Sequence, residues 1–374
     1  MSVFDRTDQS MFGRWWWTVD RWTLGAIGVL AGLGVFLVGA ASPAVAHRIG
    51  LGTFHFVERH LIILIPSLAM MIGISLLSPR AVRRLAVVVF LGSLALVGLT
   101  IVAGMEIKGA RRWLQLPGLS LQPSEFVKPS FAVVTAWLFY LRATVPGFPG
   151  YLCAMLLYGL VVALLMMQPD LGMTFVVTAV WFAQFFLAGL NVFLVGFLGV
   201  SGVAALVGAY FVFPHVKARF DKFLDPAAGD NYQIDRSMEA FENGGLLGTG
   251  PGQGMVKMSL PDAHADFVFA VAGEEMGLIA CLALVCLFAF VVLRGFSRVM
   301  HDNNLFIVLA VSGLLTQFGI QALVNMASSL HLIPTKGMTL PFISYGGSSL
   351  LAFGIGMGML LALTRKRFGP GEAL

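Results

Sequence analysis

The sequence predicts an all-α integral membrane protein of about ten transmembrane helices, both termini cytoplasmic, with a large extracytoplasmic loop between spans 7 and 8. Three observations predict it. Hydrophobic residues make up 58% of the 374 and charged residues only 11%, where a soluble domain is roughly half apolar and a quarter charged. Mean hydropathy is +0.86. The apolar residues also gather into runs close to the roughly 20 residues that cross a bilayer core. Too little polar surface remains for a soluble enzyme, a disordered chain or a nucleic-acid-binding domain. The net charge of +5, from 24 Lys and Arg against 19 Asp and Glu, therefore reads as membrane topology, with no nucleic-acid partner.

The runs lie near residues 22–42, 60–77, 81–103, 123–141, 149–167, 171–188, 190–213, 264–293, 305–330 and 343–364. They divide the chain into a cytoplasmic tail (1–21), a membrane domain (22–364) and a second cytoplasmic tail (365–374). Ala44, Val45 and Ala46 imitate a signal-peptidase site, but the run before them is too long for a signal core, so it reads as a retained span. Trp15, Trp16, Trp17 and Trp22 stand where an interfacial aromatic belt belongs. Basic residues hug the span ends on one side, as in Arg80, Arg83 and Arg84 and again in Arg365, Lys366 and Arg367. That side is assigned to the cytoplasm. Cys153, Cys281 and Cys286 sit in apolar runs without metal-site spacing and read as small packing residues.

The opposite face carries three long connections, 104–123, 214–264 and 334–341, rich in Gly, Pro, charge and aromatics. A connector needs only a few residues, so this face reads as the place of a site. In LPDAHADFVFAVAGEEMG (260–277), five titratable residues stand at or inside an apolar boundary: Asp262, His264, Asp266, Glu274 and Glu275. Carboxylates in a membrane are costly and normally face water or a partner. Asp262 has the position of a helix N-cap. Asp266 lies one turn deeper, beyond what capping explains. Glu274 and Glu275 lie two turns further, where at least one should pair with an Arg or Lys of another span.

The 104–123 connection holds adjacent Arg111 and Arg112, suited to a headgroup phosphate or to interfacial anchoring. Pro123, Ser124 and Glu125 open a helix. Lys128, one turn in, either snorkels or pairs with Glu125. In the large loop, residues 232–241 have helical spacing and read as a surface helix. The glycines of GGLLGTGPGQG (244–254) lack the P-loop pattern and read as turns and close backbone approaches. Lys257 follows as a further candidate cation. PTKGMTLPFISYGGSS (334–349) reads as a rigid re-entrant loop containing Lys336 and Ser344. In QPDLG (168–172), Asp170 reads as a helix cap. Together these make an outward cavity of carboxylates and cations suited to a lipid-linked anion, plausibly a pyrophosphate. This reading leaves enzyme and transporter both open.

At these motifs the chain resembles the SEDS family (shape, elongation, division and sporulation) of ten-span peptidoglycan polymerases. GARRWLQLPGLSLQPSEFVKPS (109–130), QPDLG, the 244–254 loop, the 260–277 stretch and 334–349 match in order. PTKG followed by TLPFISYGGSS is closer to the division branch than to the elongation branch. The resemblance implies a glycosyltransferase that polymerises lipid II during cell division, at the outer face of the bacterial inner membrane at the septum, and releases undecaprenyl pyrophosphate. It implies a class B penicillin-binding protein and other division proteins as partners, beside membrane lipids. It makes Asp266 the catalytic residue, a general base. Arg111, Arg112, Lys128 and Lys257 are expected to stabilise the leaving pyrophosphate, with Glu125, His264, Lys336 and Ser344 also at the substrate. Asp170, Asp262, Glu274 and Glu275 are supporting acids. A divalent cation such as Mg or Mn would serve the pyrophosphate equally. Asp262 and Ala265 depart from the family's usual Glu and Thr, and neither change touches Asp266. A lipid II flippase and a scaffold recruiting a penicillin-binding protein are the alternatives. Short, motif-poor cytoplasmic loops count against the first, and the outer charge cluster counts against the second.

Overall fold

The computed structural model describes residues 10–107, 110–116, 119–189, 192–212, 216–218, 221, 223, 232–334 and 336–366. Both chain ends, Lys108 and most of 213–231 lie outside the described residues. A short helix, α1 (Met11–Thr18), precedes the bundle helices α2 (Arg21–Arg48), α3 (His55–Ser75) and α4 (Pro79–Ala103). A three-stranded antiparallel sheet follows: β1 (Met105–Ile107), β2 (Ala110–Leu116) and β3 (Leu119–Leu121). Then come α5 (Ser124–Thr144), α6 (Gly150–Met167), α7 (Leu171–Leu187), α8 (Val192–Val212), α9 (Tyr232–Gly244), a 3₁₀ turn (Val256–Met258), α10 (Val268–Val299), α11 (Leu305–Ser329) and α12 (Gly347–Leu363).

Each apolar run of the sequence coincides with one helix, α2–α8 or α10–α12. Among the described residues, six of them (α2, α3, α4, α6, α10 and α11) are long and apolar enough to cross a membrane, and α7 and α12 are shorter apolar helices. The chain is a multi-pass membrane protein. The sheet is an addition to the all-helical expectation. Its register sets Glu106 opposite Arg111 and Leu114 opposite Leu121.

Helices α5, α11 and α12 form the centre. Helix α12 packs along α3, and α5 packs between α4 and α11. Phe131, Phe139, Phe306, Phe318 and Phe342 are fully buried there. The bundle ends differ in chemistry. At one end Asp20 caps α2 and is bridged by Arg294 at 2.9 Å and Arg298 at 3.2 Å. Burial pushes the Asp20 carboxyl up, but these guanidiniums and Thr23 outweigh it and hold it below the ordinary carboxylate range. Trp15 is buried, not part of a surface belt, and its indole donates to Ser75 Oγ at 2.8 Å. Lys366 N donates to Thr18 O at 3.0 Å, so the first and last described segments share this end.

At the other end, α2 meets the connections directly. A Cβ at Gly34 would overlap the backbone of Phe342 and Ile343. Val38, Ala41 and Val45 share a buried cluster with Leu260, Ala263 and Phe267. Helix α9 is not a free surface helix: Ile234, Ser237 and Ala240 are buried, and Ser237 Oγ donates to Ser329 O at 2.7 Å.

Candidate active site

Helix α10 is broken at Gly277, whose φ of 78° and ψ of −179° only glycine adopts readily. The break frees backbone groups that must find partners. The glycine-rich loop supplies them. Thr249 N and Gly250 N donate to Glu274 O and Glu275 O, while Leu278 N and Ile279 N donate to Gly245 O and Leu246 O. Gly245, Gly248, Gly250 and Gly252 all have positive φ. At Gly244 and Gly248 a Cβ would also strike the backbone of α10. The glycines therefore serve as the turns and close approaches expected of them.

The two glutamates lock this contact. Glu274 accepts from Val256 N at 2.7 Å, Lys257 N at 2.8 Å and Asn243 Nδ2 at 3.0 Å. Glu275 accepts from Gly252 N at 3.1 Å and pairs with the Lys257 ammonium. All three charged side chains are buried. Glu275 thus finds its cation in the loop and not in another span. Lys257 is committed to that pair and does not reach the cavity described next.

That cavity, about 840 Å³, opens at the end of the bundle opposite Asp20. Its titratable lining comes from Arg59 on α3, Arg112 on β2, Glu125 on α5, Asp170 before α7, Asp262, His264 and Asp266 before α10, and Lys336. The turn bearing Asp266 is held from three sides. Tyr345 N donates to His264 O at 2.9 Å. Ser344 Oγ donates to Ala265 O at 2.6 Å, and Asn325 Nδ2 donates to Asp266 O at 2.9 Å. Three successive carbonyls are thus tied to α11 and the 340–345 turn, while the half-exposed Asp266 side chain faces the cavity.

His264 is buried at 7% exposure, its ring 4.1 Å from Phe56 and 5.2 Å from Tyr345. Burial pushes its pKa down to about 4; Asp262 opposes this and Arg48 adds to it. The imidazole is neutral near pH 7. Asp262 does not cap α10. It is an exposed turn residue at φ 53°, in the left-handed region that Asp tolerates, and Phe267 holds the N-cap position.

Asp170 caps α7 as expected, accepting from Met173 N at 3.2 Å. It also holds Lys336 Nζ at 2.8 Å and Arg112 Nε at 3.5 Å. Burial would raise the Asp170 carboxyl, but Lys336 and then Arg112 outweigh it and hold it low. Arg112 further donates to Gln168 O at 3.0 Å and Pro169 O at 2.6 Å. Arg111 points elsewhere, to Glu106 at 3.3 Å on the exposed sheet, and does not line the cavity. Adjacent residues of a strand face opposite ways, which separates the two arginines.

Lys128 does not snorkel. It is 1% exposed, pairs with Glu125 at 2.8 Å and donates to Gln321 Oε1 at 2.6 Å. It acts on the cavity only through Glu125. Ser344 is likewise buried support. The sequence reading missed Arg59, because a basic residue at the start of an apolar run reads as topology. It also missed Asn325, which looks like an ordinary polar residue within a span. Among the described residues no group of three or more His, Cys, Asp or Glu side chains is placed to hold a metal.

The fold and site define the class: a helical membrane protein with a charged cavity at one end, lined by the turn before α10 and by residues 336–339 and 345–349. The particular family follows from comparison. The model of the FtsW, RodA and SpoVE family, described as "Cell cycle protein", matches residues 21–368, and the chain belongs to it. A protein of Caulobacter vibrioides named "Probable peptidoglycan glycosyltransferase FtsW" is 48% identical over 368 residues, covering 98% of this chain and 94% of the relative. One of the same name from Coxiella burnetii is 35% identical, covering 93% and 96%. Among solved structures, a chain of "Structural coordination of polymerization and crosslinking by a peptidoglycan synthase complex" superposes with a TM-score of 0.75 at 28% identity, covering 92% of this chain and 97% of that one. The Rod shape determining protein RodA of Thermus thermophilus gives 0.69 at 28% identity, covering 93% and 97%.

Proposed function

We propose that this chain is a peptidoglycan glycosyltransferase that polymerises lipid II at the outer face of the cytoplasmic membrane during cell division. The names of its relatives support the reaction class. The observation that carries the site is the placement of Asp266 on a rigid turn in the same cavity as Arg59, Arg112 and Lys336. The Asp266 carboxylate takes the proton of the attacking sugar hydroxyl. The hydroxyl oxygen bonds to the anomeric carbon of the second sugar. The bond from that carbon to the pyrophosphate oxygen breaks, and undecaprenyl pyrophosphate leaves with the electron pair. Arg59, Arg112 and Lys336 offset its developing charge. His264, neutral and buried, offers a ring nitrogen to the sugar. Glu125 forms the far wall, with Lys128 behind it.

The ten-span count, the cytoplasmic termini, the division into a membrane domain with two short tails, and residence at the septal inner membrane belong to the same proposal. So does a class B penicillin-binding protein as the crosslinking partner. The synthase complex that the chain superposes on supports it.

The test is lipid II polymerisation by the purified protein with its penicillin-binding partner, comparing wild type with Asp266→Ala and Asp266→Asn. Loss of glycan strands from both folded variants is expected. Unchanged strands remove Asp266 as the base, and no strands from an otherwise competent wild-type complex remove the reading.

A further inference from the structure

Gly337 stands in the cavity wall facing Asp266. Unlike Gly248, Gly250 and Gly277, it does not have positive φ, so no backbone requirement calls for glycine. It is also exposed, so packing density does not call for it either. What a side chain would meet is specific. A Cβ at Gly337 would lie 2.7 Å from Asp266 Oδ2, with Asp266 Cγ at 3.4 Å and Oδ1 at 3.6 Å as its next neighbours. Ordinary contact begins at about 3.5 Å. The carboxylate occupies the space that the missing side chain leaves.

The wall cannot easily yield. Lys336 N donates to Ser328 Oγ at 3.1 Å, and the Lys336 side chain reaches Asp170. Its stem crosses α7 at Gly172, where a Cβ would overlap it. On the other side of Gly337, Met338 O accepts from Asn325 Nδ2 at 2.6 Å. The same amide nitrogen donates to Asp266 O. One buried amide therefore fixes the backbone of Asp266 and the backbone of the opposing wall at a set separation.

We propose that Gly337 and Asn325 are positioning residues for Asp266: Asn325 sets the gap between the two backbones, and the bare Cα of Gly337 lets the carboxylate fill it in its working orientation. The inference rests on Asp266 being the base. A methyl group at 337 turns the carboxylate aside by a fraction of an ångström to an ångström, with the cations of the cavity untouched.

The experiment compares wild type, Gly337→Ala, Asp266→Ala and the double variant in the partner complex, reading kcat and KM for lipid II and the Tm of each. Gly337→Ala is expected to lower kcat by roughly 10- to 100-fold, the cost of a misplaced reacting group, with KM within about twofold. Any fall in its Tm is expected to be recovered in the double variant, where the methyl has room. Wild-type kcat, a loss confined to KM, or a Tm loss that the double variant retains overturns the proposal. A fully active Asp266→Ala overturns the base assignment instead. An inactive Asp266→Ala beside a fully active Gly337→Ala overturns the positioning role alone.

Discussion

Asp266 and the pair Glu274 and Glu275 stand in one motif, on or beside one short helical segment, yet they end in opposite surroundings. Asp266 is held by its backbone, and its carboxylate faces a cavity shared with three cations. Glu274 and Glu275 are sealed, and their oxygens take three backbone N–H groups, an amide and an ammonium. Holding the backbone and leaving the side chain facing the cavity makes a reactive group. Burying the side chain among donors makes a fastener. The residue type is nearly the same; what surrounds it decides the role.

The largest expected effect tests the open half of this comparison. Asp266→Asn keeps the shape and removes the base, so polymerisation should fall by about 10²–10⁴-fold with Tm preserved. The fastener should respond the other way. Glu275→Ala leaves the Lys257 ammonium buried without its partner, a loss of about 3–5 kcal/mol. It should appear as a lower Tm, with activity falling only as the folded fraction falls. Replacing the pair together, Lys257→Met with Glu275→Leu, should recover most of that stability.

A smaller effect should come from His264. Its folded pKa of about 4 lies below its ordinary 6.5, so between those values the unfolded chain binds more protons. Stability should be complete above pH 6.5 and decline as pH falls toward 4, by on the order of 3 kcal/mol. Thermal unfolding from pH 7.5 to 4.5 should show a steeper decline for wild type than for His264→Gln. The smallest effect should come from Arg111→Ala. Its pair with Glu106 is exposed and worth well under about 1 kcal/mol. Polymerisation should stay within about twofold of wild type, whereas Arg112→Ala should lower it at least tenfold by removing a cavity cation.

Much of this architecture was legible in the sequence because membrane helices announce themselves by length and apolarity. The sheet at 105–121 was not, since three short strands within a polar, Gly- and Pro-containing connection carry no long periodic signal. Site residues divide in the same way. Asp266, His264 and Lys336 stand out because charge at an apolar boundary is costly. The separate fates of Arg111 and Arg112 depend on strand register, which adjacency conceals. Lys257 looks like a free cation until the break at Gly277 brings Glu275 beside it. Arg59 carries no local mark, and its meaning comes only from the 110–116 and 336–339 segments that converge around it.

The contact of Gly34 with the 342–343 backbone bears on how the protein is made. Helix α2 packs directly against a turn synthesised some 300 residues later. Before that turn emerges, the Asp266 segment lacks the donors from Ser344 and Tyr345 that fix it. Such long-range closure is slow compared with local helix formation. A chain interrupted during synthesis can insert its helices and still be unable to start a glycan strand. Competence therefore arrives late and all at once, when the 340–345 turn docks.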